Sequence, residues 1–507
     1  MSPAAPVLPH VQPTVVHMLA AAAAAAPEGE ALVFGERRLD YSGYLACVAA
    51  FARELQSLGA QGGRVATLMG NSNDACIAAL ATLAAGAQQV PLNSLYTAYE
   101  LAAIFEDAAP AVLVVDAPLA AMAEPLARRA GVAHLVVVGE GARRLDEPPA
   151  AAPELPPLPA TDALALLQYT GGTTGRAKGV QLTHGAIAVN VAQREALLPT
   201  RRGDRVLCMM PLSHAYAMAM GLFLSLNCAS TLVILARYQP DDVLATVARE
   251  RIGVFLGSPT IFVGLLAHPG FATSDWSTVH TCYSGSAALP EATLARWREA
   301  VGAPVYEGYG LTEAGPVLTF NPVGRPVKAG RVGVLVPLTE IEVVDVETGE
   351  KVLPAGSRGE IRARGPQLMR GYRNRPEETS LALRRGWLYT GDIGEFDADG
   401  YLAILDRKKD MVIVGGYNVY PREIEEVLFA HPDVADAAVV GRPDSYRGEI
   451  LVAHVVPRPG ARPTAEMLLT HCRQHLAKYK LPAQWHFTTA LPKTPANKTD
   501  KNALRRA

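Results

Sequence analysis

From Ala31 to about Val138, short apolar runs alternate with stretches of helical periodicity. Val65 to Met69 and Ala111 to Val115 read as buried strands, and Asp74 to Ala85 as a crossover helix. That rhythm predicts an α/β sheet with helices on its faces. Proline then crowds positions 148, 149, 153, 156, 157 and 159, too densely for a helix or a central strand, so a surface connector is expected. A second alternating region runs from Leu164 to about Ala303. From Val332 the texture changes to short strands, Glu340 to Val346, Gly359 to Ala363 and Gly400 to Leu405, punctuated by the turn pairs Thr348-Gly349 and Asp399-Gly400. Past the charge cluster Asp406 to Asp410, the pattern predicts a strand, a helix from Pro421, further strands and a helix over Ala465 to Lys478. The expectation is an α/β protein. Its large N-terminal domain, residues 1–405, combines α/β sheet subdomains with a β-rich subdomain, and residues 406–410 join it to a small α+β C-terminal domain, residues 411–507.

Composition narrows the class of molecule. At roughly 150 residues per domain, 507 residues allow about three folding units. Hydrophobic residues make up 49% and charged residues 19%, the balance of a core-forming globular chain rather than a disordered one. Lys+Arg 47 against Asp+Glu 49 leaves a net charge of -2 with no block of one sign, so no nucleic-acid partner is expected. Cys47, Cys76, Cys208, Cys228, Cys282 and Cys472 form no C-x-x-C pair, which favours reduced, mostly buried thiols in a cytoplasmic protein. Ala20 to Ala26 could suggest a signal sequence, but Met1 to His10 holds no Lys or Arg, and an Ala-rich helix closed by Pro27 is preferred. The charge-free stretch Val206 to Ala236 is long enough to span a bilayer. Pro211, His214, Gly221 and Asn227 interrupt it, so a buried helix and strand lining a pocket is expected, with no transmembrane segment.

The sharpest chemical signal is YTGGTTGRAKGV, Tyr169 to Val180, directly after the apolar strand Leu164 to Leu167. Glycines that expose backbone N–H groups, threonine hydroxyls and a lysine supply what a polyphosphate needs. A Walker loop would carry Gly-Lys-Ser/Thr, whereas Lys178 here stands between Ala177 and Gly179; a plain Gly-rich turn is the bland alternative. Further motifs follow in order: PLSHAYAM from Pro211, YEGYGLTEAG from Tyr306, YTGD from Tyr389, DRKKDMVIVGGYNVYPREIE from Asp406 and LPKTPANK from Leu491. Together they resemble the adenylate-forming superfamily of acyl- and aryl-CoA synthetases, peptide-synthetase adenylation domains and luciferases. The likeness runs over essentially the whole chain and is greatest to bacterial long-chain fatty acyl-CoA synthetases.

The resemblance implies an enzyme that joins a carboxylate to the α-phosphate of ATP, releasing pyrophosphate, and then passes the acyl group to the thiol of coenzyme A. The first step brings two anions together, at roughly 4 kcal/mol per charge pair at 4 Å and an effective dielectric of 20, so cations are required. Mg²⁺, Lys178 and Lys498 are the candidates. By resemblance Thr170, Gly171, Gly172, Thr173, Thr174, Gly175 and Lys178 hold the phosphates, Thr312 reaches the α-phosphate and Glu313 ligates Mg²⁺. Tyr309 packs on adenine, Asp392 holds the ribose hydroxyls with Arg407 beside it, and Lys409 is the hinge residue. Lys498 holds the substrate carboxylate against the α-phosphate, with Asn497 standing where the family usually has Gly. Gly415, Gly416 and Tyr417 line the tunnel for the pantetheine arm of CoA once the mobile C-terminal domain has swung about the hinge. Out of that context Thr312-Glu313 would read as a helix start, Asp392 as a turn residue and Lys498 as a solvated lysine.

For the acid, a pocket of His214, Tyr216, Ser284, Gly285, Ser286, Gly308 and Val317 is expected, with His214 gating it or orienting the carboxylate. These segments hold no Lys or Arg, which disfavours diacids, and the Met218, Met220, Leu222, Phe223 run suits an apolar tail. A medium- or long-chain fatty acid is the favoured substrate. An aryl acid, transfer to a carrier-protein thiol, and a catalytically weak nucleotide-binding protein are the alternatives. Oligomeric state is left open.

Overall fold

The computed structural model describes residues 7–170, 177–287, 289–414, 417–444, 448–494 and 498–506. Two large sheets carry the N-terminal part. In the first, six parallel strands lie in the order Val305–Gly310, Thr281–Ser284, Val254–Gly257, Arg205–Cys208, Thr231–Ile234 and Glu30–Phe34, with antiparallel strands at both edges. The central strands read as unbroken apolar runs because both faces are covered, as a parallel sheet requires. The second sheet has seven strands. Its parallel part contains the predicted strands, seen as Arg64–Leu68 and Val112–Asp116, with the predicted helix seen as Asn73–Ala84.

The Ala-rich segment is a helix, Val15–Ala25, capped by the Thr14 side chain and buried along one face by Val15, Met18, Leu19 and Ala22. The prolines from 148 to 159 lie in irregular chain. Within the charge-free stretch, the strand Arg205–Cys208 leads to a π-helical segment, Met218–Phe223, and on to the strand Thr231–Ile234. No helix among the described residues is long and apolar enough to cross a membrane. All six cysteines are free thiols.

The β-rich region is a five-stranded antiparallel sheet that includes Glu340–Val344, Gly359–Arg364, Trp387–Phe396 and Leu402–Arg407. Its last strand runs two residues further than expected, because Asp406 and Arg407 still pair with Ile393 and Asp392. Both therefore belong to the sheet rather than to the connector, which is the 3₁₀ turn Lys408–Asp410. The C-terminal part has its own core, formed where the helices Pro421–Phe429 and Ala465–His475 pack on a sheet dominated by Val434–Asp444 and Gly448–Pro457.

Candidate active site

In a parallel sheet, loops that leave the carboxyl ends of the strands converge on one edge, where ligands bind. Here Cys208 leads to Ser213 and His214, Ser284 leads to Gly285 and Ser286, and Val305–Gly310 leads to Thr312 and Glu313. Strand direction alone thus gathers motifs that lie a hundred residues apart.

Asp392 is the best-defined member. It lies within the strand Trp387–Phe396 and is 3% exposed, so the turn reading of this residue does not apply. Its Oδ2 accepts a 2.6 Å hydrogen bond from the Tyr309 hydroxyl, and its Oδ1 pairs with Arg407 Nε at 2.8 Å. Burial raises its pKa, opposed by the charge of Arg407, the Tyr309 hydrogen bond and the charge of Lys498. Each carboxylate oxygen keeps one lone pair in reserve, enough for two vicinal hydroxyls. Tyr309 is half-buried and tethered by its own hydroxyl, so its ring orientation is fixed.

Lys498 arrives from the C-terminal part. Its charge is felt at Asp392 and His214, and desolvation first, then repulsion by Arg407, lowers its pKa against the pull of Asp392. The side chain is still exposed by surface area, as a cation lining an open cleft is. His214 caps the short helix Ala215–Ala217 by accepting Tyr216 N–H on Nδ1 at 3.3 Å. Desolvation first and Lys498 second hold its pKa at about 4, so the ring is neutral. With Nδ1 accepting, the proton sits on Nε2, which can donate to a carboxylate.

Glu313 lies in the 3₁₀ turn Thr312–Ala314 rather than in an α-helix. Tyr372, which the motif reading overlooked, donates its hydroxyl to Glu313 Oε1 at 2.8 Å, and Lys178 Nζ lies 5.1 Å from the centre of the Tyr372 ring. Thr170 and Lys178 face each other across paired antiparallel strands. Gly171 to Gly175 of the phosphate motif lie outside the described residues. Thr312 is half-buried beside Glu313. Among the described residues no cluster of three or more His, Cys, Asp or Glu could hold a metal by itself. A single carboxylate whose Oε2 has no partner among the described residues fits Mg²⁺ that leans on nucleotide phosphates and water.

The predicted acid pocket assembles in part. The Tyr216 hydroxyl donates to Gly257 O at 3.3 Å, and its ring packs so closely on Gly285 that a Cβ there would meet it at 2.8 Å. Ser284 and Ser286 bury hydroxyls that have no partner among the described residues, and Ser286 adopts a φ of 70°. At Gly308 a Cβ would come within 2.3 Å of Phe320, so the glycine admits that ring. The pocket segments themselves hold no Lys or Arg, but a basic residue from another element lies close to Val317. Arg194, from the helix His184–Leu197, lines a small cavity together with Met220 and Val317. Its sequence signal was the polar set Asn190, Gln193 and Arg194 at i, i+3 and i+4 of a mostly apolar helix.

Of the proposed CoA residues, Gly415 and Gly416 lie outside the described residues. Tyr417 is 58% exposed and stacks on Tyr479 at 4.5 Å within the C-terminal part. Lys409 is exposed, while its neighbours are tied to opposite sides: Lys408 to Glu360 at 2.7 Å and Asp410 to Arg505 at 2.6 Å.

A family model described as AMP-binding enzyme matches residues 19–373, and one described as AMP-binding enzyme C-terminal domain matches residues 423–498. A long-chain-fatty-acid–CoA ligase of Bacillus subtilis is 35% identical, over 98% of this chain and 96% of its own. A feruloyl-CoA synthase of Amycolatopsis sp. is 36% identical over 95% and 96%. The solved structure of the anthranilate CoA ligase AuaEII in complex with anthranoyl-AMP superposes with a TM-score of 0.91 at 27% identity, over 98% of both chains.

Proposed function

The chain belongs to the AMP-binding enzyme family and is an AMP-forming acid–thiol ligase; on that premise we propose that it activates an apolar monocarboxylic acid as its acyl-adenylate and transfers the acyl group to coenzyme A. The observation that carries this reading is the Asp392 carboxylate held by Tyr309 and Arg407, with Lys498 of the C-terminal part within electrostatic range of it and of His214. Asp392 takes the ribose hydroxyls and Tyr309 stacks on adenine. Thr170, Lys178 and the glycine-rich residues between them hold the phosphates. Thr312 reaches the α-phosphate, and Glu313, held by Tyr372, would hold Mg²⁺, which supplies charge neutralisation on the phosphates.

The acid's carboxylate then has two donors, His214 Nε2–H and the Lys498 ammonium, that place its oxygen for attack on the α-phosphorus. Phosphorus–oxygen bond formation expels pyrophosphate. In the second step the thiol attacks the acyl carbonyl and AMP leaves. We assign the 3₁₀ turn around Lys409 as the pivot that withdraws Lys498 and brings Tyr417 and its neighbours to the site.

A medium- or long-chain fatty acid is the first substrate reading, supported by the relatives that bear that name. An aryl acid is the second, favoured by the Phe320 ring that occupies the space beside Gly308. A carrier protein remains the lesser choice of acceptor, and the free thiols fit a cytoplasmic location. The test is AMP and pyrophosphate release with ATP and Mg²⁺ across fatty, aryl and dicarboxylic acids, each with and without CoA. CoA-dependent turnover that peaks in one acid class supports the reading. Pyrophosphate exchange that never becomes CoA-dependent would assign the acceptor elsewhere, and silence across the panel would leave only nucleotide binding.

A further inference from the structure

The helix Pro421–Phe429 opens the C-terminal part without a cap of its own. Pro421 has no N–H, the Glu423 N–H bonds to Tyr420 O at 3.0 Å, and the Tyr420 side chain caps nothing. That leaves the Arg422 N–H, a donor that the N-cap side chain usually satisfies. Here the acceptor comes from the other side of the connector: Asp406 Oδ2 takes the Arg422 N–H at 3.0 Å. Asp406 is buried in the strand Leu402–Arg407, paired with Ile393 of the β-rich sheet, and its Oδ1 accepts the Arg407 N–H at 2.7 Å. The carboxylate is thus fixed on the N-terminal part while it grips the C-terminal part.

The same carboxylate faces the segment that carries the catalytic lysine. Three positions past Lys498, Lys501 opens the terminal helix Lys501–Arg506 and pairs with Glu425 at 2.8 Å. Burial raises the Asp406 pKa, and the charge of Lys501 opposes this most strongly, with Glu425 acting the other way. The terminal helix is itself anchored: Arg505 pairs with Asp410 at 2.6 Å, and Leu504 packs with Val440 and Val452. From the N-terminal part Arg358 reaches the same helix turn, 3.9 Å from Glu423 and 5.9 Å from the Tyr420 ring centre. Helix start, lysine segment and sheet edge therefore meet around one buried carboxylate.

We propose that Asp406 is a positioning residue for the first chemical step: by capping the helix Pro421–Phe429 and facing Lys501, it docks the C-terminal part in the orientation that brings Lys498 toward Asp392 and His214. The inference rests on the ligase reading above and names what holds its catalytic lysine in place. A cap made by a carboxylate is stronger than a neutral one. It exists only while the two parts keep this arrangement, so it weights this arrangement against any other. The second step, which dispenses with Lys498, does not need it.

The two half-reactions of the full chain test this separately, with the acid that the panel above shows to be used best: pyrophosphate release with ATP and Mg²⁺, and acyl-CoA formation from supplied acyl-adenylate. Asp406→Ala is expected to lower kcat of the first by about tenfold, with KM for ATP little changed, and to leave the second within a few-fold of wild type. Asp406→Asn keeps an oxygen for the Arg422 N–H and loses only the charge. A smaller loss, confined to the first step, is expected of it, and it decides the matter should Asp406→Ala fail to fold. Because Asp406 acts through Lys498, adding Asp406→Ala to Lys498→Ala should cost the first step nothing further. Equal loss in both steps, an unchanged first step, or a further loss in the Lys498→Ala background overturns the proposal while leaving the ligase reading intact. No adenylate from any acid in the wild type overturns both.

Discussion

At Asp392 one lone pair on each oxygen is already taken, by Tyr309 and by Arg407, so the carboxylate is oriented before any nucleotide arrives. Motif order pointed to this residue; local context alone would have left it in a turn, because its burial follows from strand pairing with Arg407, fifteen positions on. His214 was likewise legible as a site residue, but its protonation was not. Its pKa of about 4 depends on burial and on a lysine from the far end of the chain. His214→Ala should lower kcat/KM for adenylation roughly tenfold to a hundredfold, the worth of one hydrogen bond to a charged group. The pH profile between 5.5 and 8 should keep its shape, since the ring is neutral throughout. Loss of an ionisation near 6.5 in the variant would contradict this.

Among elements, the helix His184–Leu197 does the most to shape the site, and the sequence disclosed it least. Most of its residues are buried, Arg194 among them. That Asn190 grips both backbone groups of Val317, and that Arg194 meets Tyr283 and Phe320, depends on partners more than eighty residues away. The strands were easier to read, because a parallel sheet buried on both faces leaves continuous apolar runs, and strand direction then delivers the motifs to one edge. Asn190→Ala leaves the Val317 N–H and C=O buried without partners and should cost about 2–4 kcal/mol. Denaturant unfolding checks it: the midpoint should fall at constant slope, and KM should rise more for the acid than for ATP. A loss under about 0.5 kcal/mol would show that the helix is docked by other contacts.

For the whole molecule, the seam between the two parts carries charge as well as the catalytic lysine. Glu307, on the strand Val305–Gly310, is 3% exposed, and one of its oxygens lacks a partner among the described residues. Burial pushes its pKa up to about 7, opposed by the Leu289 N–H and by Arg422 on the helix Pro421–Phe429. The folded state therefore holds this proton more tightly than the unfolded chain, whose Glu titrates near 4.5. The contribution to stability is complete below about pH 4.5 and is lost as pH rises through about 7. Glu307→Gln should be more stable than wild type at pH 8, by at most ~3 kcal/mol, and should match it near pH 4.5. Melting temperatures across that range check the sign, and a difference independent of pH would contradict it.

The central claim is that one site uses Lys498 for the first chemical step and dispenses with it for the second. The most direct measurement compares the two half-reactions in Lys498→Ala. Adenylate formation, followed as acid-dependent pyrophosphate release, should fall by about 10²–10³-fold, as when one preorganised electrostatic group is removed. Acyl-CoA formation from supplied acyl-adenylate should stay within a few-fold of wild type. Equal loss in both half-reactions would contradict the account.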